Sequence, residues 1–147
     1  MRYTFIISIC FFACSFSHIP YAIAHGNQTG NHHHDKTIDL GKSSPVTLSV
    51  KAIEDTMDGW NLQIEVSNFD FSPENTGKTH KVGEGHANLY VNARQVARLY
   101  GPWFHLSKKL LMKGKNTILV RLNANSHEKL LVNGKELSQK IYLNYSK

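Results

Sequence analysis

Gly85-His86-Ala87-Asn88-Leu89-Tyr90-Val91-Asn92 alternates small or aliphatic residues with polar or aromatic ones. A strand turns successive side chains to opposite faces. Ala87, Leu89 and Val91 therefore share a core-facing side, and His86 and Asn88 point away from it. A short turn near Asn92-Ala93 leads into a second run, Gln95 to Tyr100.

The same period of two recurs on both sides of this segment. Upstream, Val46, Leu48 and Val50 form one apolar face, and Trp60, Leu62, Ile64 and Val66 form another. Downstream, Thr117 to Ala124 buries Ile118, Val120 and Leu122. Lys129 to Val132 and the residues from Lys135 onward flank Asn133-Gly134, which predicts a hairpin with a two-residue turn. Ile141 to Tyr145 closes the chain as a last strand. Ser107 to Met112 has room for one helical turn, and Lys113-Gly114-Lys115-Asn116 predicts a tight turn between strands. Short strands at this spacing, with no amphipathic helix, predict an all-β fold: an immunoglobulin-like β-sandwich of about 6–8 strands over residues 45–147.

The first 24 residues read differently. Arg2 precedes an apolar stretch from Phe5 to Ala13, and Ala22-Ile23-Ala24 has the small-x-small form that signal peptidase accepts. This predicts a signal peptide over residues 1–24 and a destination in the periplasm or outside the cell. The stretch is too short to span a bilayer, and no transmembrane segment is expected in the mature chain. Both cysteines, Cys10 and Cys14, lie in the leader, so the domain itself is expected to hold no disulfide. Phe11-Phe12-Ala13-Cys14 offers an alternative lipoprotein box, in which Cys14 would carry lipid.

Residues 25–44 are polar, contain Gly26, Gly30 and Gly41, and lack apolar periodicity, which predicts a flexible arm. The formal net charge of +6, to which Arg2 of the leader contributes, is spread along the chain. It forms no basic helix, so it reads as solvated surface, and no nucleic-acid partner is expected for an exported protein.

Histidine is the residue that points to chemistry. Cleavage after Ala24 would make His25 the first residue, with its α-amine and imidazole forming a chelate suited to Cu(II). His32-His33-His34-Asp35 lies on the arm, where such tracts gather Zn, Cu or Ni loosely. His86, His105 and His127 fall at strand ends or on an outward face, with His80 in a nearby loop. Imidazoles meeting there would bind copper or zinc, with Trp103, Tyr100 or Met112 as neighbours. The alternative is separate surface histidines, each hydrogen-bonded on its own.

Three blocks also resemble a group of small exported bacterial β-proteins: the segment from Gly85 to Asn92, Ala97 to Leu106 around Tyr100-Gly101-Pro102-Trp103-Phe104-His105, and Leu122 to His127. The likeness covers residues 68–127 and singles out His86, His105 and His127. Two positions depart from that group's pattern: Asn88 stands in place of a second histidine, and Ala93 in place of the turn glycine. A more distant resemblance, through His25 and a small β-sandwich, is to the CopC-type periplasmic copper-resistance proteins. The histidines, together with the distant resemblance to CopC-type proteins, lead to the expectation of an exported metal-binding protein that sequesters copper or delivers it to another periplasmic copper protein, with zinc as the alternative ion.

Two further function classes remain open at this level. A histidine-brace copper oxidase would use His25 and a second histidine around an open coordination position. The mature chain offers no hydrolytic constellation: it has no cysteine, no G-x-S-x-G elbow and no H-E-x-x-H. A non-metal structural or interaction domain would instead present Tyr100, Trp103 and Phe104 as an aromatic edge.

Overall fold

The computed structural model describes residues 36–146. They form an all-β sandwich of two sheets. The strands are β1 (Thr37–Asp39), β2 (Thr47–Glu54), β3 (Trp60–Ser67), β4 (Asp70–Phe71), β5 (Glu84–Val91), β6 (Arg94–Leu99), β7 (Trp103–Leu106), β8 (Gly114–Ala124), β9 (Lys129–Val132), β10 (Lys135–Glu136) and β11 (Ser138–Tyr145). The larger sheet runs β1-β9-β8-β5-β4, with β10 beside β9, β11 beside β8 and β6 beside β5; the smaller sheet is β2-β3-β7.

The alternating residues pack as their period requires. Ala87, Leu89, Val91, Ile118, Val120 and Leu122 of the larger sheet join Val50, Leu62, Ile64 and Leu106 of the smaller one in a single buried cluster. Trp60 meets Tyr145 edge to face, with ring centroids 6.2 Å apart, which links β3 to β11. At about 25 cal/mol for each Å2 of apolar surface removed from water, this burial is what holds the sheets together.

Strand β5 lies at the centre. It pairs antiparallel with β8 from Gly85↔Ala124 to Val91↔Ile118, and with β6 on its other side. Gly85 is required by that closeness: a Cβ there would lie 2.1 Å from the Asn123 carbonyl oxygen and 3.0 Å from the Phe69 ring. The β5–β6 turn has Asn92 and Ala93 both at positive φ, 49° and 67°. These are the values of the mirror-image hairpin turn that favours Asn-Gly, and Asn133-Gly134 in the other hairpin satisfies them without a side-chain penalty.

Four features differ from the sequence reading. The strands number eleven among the described residues, more than 6–8, because β1, β4 and β10 have only two or three residues and show no period of their own. Thr37–Asp39, placed in the flexible arm, pairs in parallel with Lys129–Leu131. Trp103–Leu106, assigned to no strand from the sequence, is a strand paired with β3. The tight turn expected over 113–116 instead opens β8 at Gly114. There Asn116 is buried and donates to the Met112 and Gly114 carbonyls, taking over the role of backbone turn bonds. A short 3-10 turn at Lys108–Leu110 lies within the stretch that had room for one helical turn.

The strain at Ala93 gives a direct test. An L-residue pays about 1 kcal/mol in this left-handed region that glycine does not. Ala93→Gly should therefore raise the melting temperature by roughly 4 °C. A thermal scan showing no gain would mean that the turn relaxes in solution.

Candidate functional site

His86 is set by strand parity on the side of β5 opposite the apolar core, yet it is fully buried, as Asn88 nearly is. Parity sets which face of the strand a side chain occupies and leaves open whether that face is covered. Other residues cover that face: the His127 ring lies 5.3 Å from the His86 ring, centroid to centroid, and the Tyr100 ring lies 5.9 Å away. Neither ring nitrogen of His86 has a hydrogen-bond partner. Burial, followed by the positive charge of Arg98 and the nearness of His127, lowers the His86 pKa to about 4. At neutral pH its imidazole is uncharged, and its lone pair is available.

His127 reaches this position through a turn that several contacts fix. Its own φ is +78°, and its amide donates to the Ala124 carbonyl at 2.9 Å. Ser72 and the Asn125 amide bond each other at 3.0 and 3.2 Å inside the protein, and the Gly77 amide donates to the Asn125 carbonyl at 2.8 Å. A row of side-chain amides then crosses the sheet: Gln95 donates to Asn88, Asn88 to Asn123, and Asn123 to the His127 carbonyl, at 3.2, 3.1 and 3.0 Å. Asn88 is thus one link in a chain that holds the His127 turn against β5.

His105 is elsewhere. It sits on β7 of the smaller sheet, opposite Asn61, and its Nδ1 is 3.1 Å from the Asn61 side-chain oxygen. Its Nε2 lies 3.5 Å from Asp58, and Nδ1 lies 3.9 Å from Asp55. Backbone amides of Met57 and Asp58 hold the Asp55 carboxyl below its ordinary pKa, and the Ser107 hydroxyl does the same for Asp58. The aromatic edge also divides: Phe104 packs on the core, whereas Trp103 remains 55% exposed. Among the described residues no three His, Cys, Asp or Glu side chains gather into a metal-holding group. The structure therefore brings His86 and His127 together and leaves His105 in an acidic corner. His25, the tract His32-His33-His34, Cys14 and the signal peptide lie outside the described residues.

The positions overlooked in sequence are cationic. Beside His127, the outer face of the larger sheet has a depression of about 250 Å3 lined by Lys36, Arg98, Arg121 and Lys129 together with Tyr90 and the amide row. The overlooked signal was parity: Arg121 and Asn123 alternate with Val120 and Leu122, so they occupy the same face as His86 and Asn88. His80 is a second imidazole with both nitrogens buried and without a hydrogen-bond partner.

No family model matches the chain, and no curated protein or solved structure matches it either. Among the described residues no helix is long and apolar enough to cross a membrane.

The buried imidazole makes stability pH-dependent with a definite sign. Well above pH 6.5 His86 is neutral both folded and unfolded and does not alter stability. Between pH 6.5 and about 4 the unfolded chain takes a proton that the folded one refuses, so stability falls with pH. The loss should approach about 3 kcal/mol at the acid end. Denaturant titrations of metal-free protein between pH 7 and 4.5 should give a steeper decline than those of His86→Phe; equal slopes would refute the assignment.

Proposed function

We propose that this is an exported metal-binding protein that handles copper, by sequestration or delivery, through His86 and His127. The observation that carries the reading is a buried, neutral imidazole with both nitrogens unpartnered, 5.3 Å from a second imidazole. Two metal–nitrogen bonds of about 2.0 Å each, extended by the ring radii, are enough to bridge that separation. A buried polar ring without partners costs stability unless something binds it.

Electrostatics favours one oxidation state. No carboxylate is part of the pair, and Arg98 acts on it with positive charge. A divalent ion would carry its whole charge into this field, whereas Cu(I) carries half as much and accepts two imidazoles. Zinc is disfavoured on the same ground.

The tract His32-His33-His34 offers further imidazoles in the sequence. Export rests on the leader-like residues 1–24, and His25 would become a further copper chelate on cleavage after Ala24.

Titration with Cu(I) against a competing chelator tests the site. Affinity should fall at least tenfold in His86→Ala and in His127→Ala and stay within twofold in His105→Ala. Retention of full affinity in both of the first two variants would remove the folded-domain site.

A further inference from the structure

We propose that the loop between β7 and β8, residues 107–113, docks the protein on an anionic phospholipid surface, with Leu110 and Met112 entering the headgroup layer between lysines. No imidazole takes part, so docking and copper binding are independent. Residues 85–127 hold seven Lys or Arg and no Asp or Glu. Five of the seven, Arg94, Lys108, Lys109, Lys113 and Lys115, belong to the end of the sandwich where β5 meets β6 and β7 leads into β8. The acids on this side, Glu54, Asp55 and Asp58, share a cleft with Lys108. Lys108 lies 3.4 Å from Asp58, and the Met57 and Asp58 amides hold Asp55. Among the described residues Arg94, Lys109, Lys113 and Lys115 are in no ion pair.

The loop is held so that its apolar side chains face water. Leu110 and Met112 are 42% and 60% exposed, whereas Leu111 between them packs on the core. The Leu110 and Leu111 amides donate to the Ser107 and Lys108 carbonyls, both at 3.0 Å. Buried Asn116 fixes the next residue: its side-chain oxygen accepts from the Met112 amide at 2.8 Å, and its nitrogen donates to the Met112 carbonyl at 2.7 Å. Asn92 also donates to Asn116 at 2.8 Å, which ties the β5–β6 turn, and Arg94 beside it, to the same post. On β11, Tyr142 is 58% exposed, with the Lys115 ammonium 4.0 Å from its ring centroid. Long apolar side chains alternating with unpaired lysines match a layer that is anionic outside and apolar beneath. Lysine stems can lie along acyl chains while their ammoniums reach phosphates, and a tyrosine ring suits that boundary. A soluble polyanion would satisfy the lysines but leave Leu110 and Met112 in water, which favours the lipid surface.

The test is vesicle flotation of the full chain with EDTA present, so that failure of the copper reading leaves the result unaffected. Vesicles of phosphatidylcholine alone are compared with vesicles that also contain about 30% phosphatidylglycerol. Partitioning should be stronger on the anionic vesicles by about tenfold or more and should weaken as salt rises. Each lysine close to an anionic surface strengthens binding about fivefold, so Lys109→Gln, Lys113→Gln and Lys115→Gln together should lower partitioning by about tenfold or more. Leu110→Ser with Met112→Ser should lower it severalfold. Both sets change exposed side chains and should leave the melting temperature unaltered, and residues 1–24 are common to every protein compared. Equal partitioning on both kinds of vesicle, or unchanged partitioning in both folded variants, would overturn the proposal. So would tight binding of soluble heparin that the Leu110 and Met112 substitutions leave intact while vesicles bind no better than they do to the lysine variant.

Discussion

Strand β5 is buried on both of its faces, and much of the rest of the molecule follows from that constraint. Its apolar side, Ala87, Leu89 and Val91, fills the space between the sheets. Its polar side, His86 and Asn88, is equally withdrawn from water. A polar strand face can be buried only where partners satisfy it. The amide row from Gln95 to the His127 carbonyl supplies them for Asn88 and leaves His86 without any. Gly85 then keeps β5 close enough to β8 for this row to connect.

The polar face has two parts of different character. The His86 imidazole, kept neutral by burial, lies against the His127 ring, and a few side chains away Arg98 and Arg121 line the adjoining depression. His127 stands at the junction, since it touches the His86 ring and also lines the depression. The left-handed conformation of its turn therefore matters to both parts.

The acidic corner around His105 shows how identical residue types diverge with context. A histidine on β7 meets Asp55, Asp58 and Asn61, which lie at the turn before β3 and on that strand. Its ring nitrogens are engaged by oxygen atoms, in contrast to those of His86. Membership of a different sheet, rather than distance along the chain, separates it from the other two.

The period of two in β2, β3, β5, β8 and β11 was sufficient to establish an all-β sandwich and to identify most of its core, because alternation reports directly which face of a strand is apolar. Asn133-Gly134 likewise specified its hairpin, since backbone sterics admit few residues at positive φ. Strands such as β1 and β4 left no such trace; two or three residues acquire strand geometry only from the neighbour they pair with. Parity also placed His86 and Asn88 on the face away from the core, but it carries no information about what covers that face. Whether His86 is dry, which histidine lies beside it and which cations crowd the same hollow depend on long-range pairings such as His86↔Asn123 and Asn123↔Lys129. Those pairings are made when the chain folds back on itself, and no local pattern of residues encodes them.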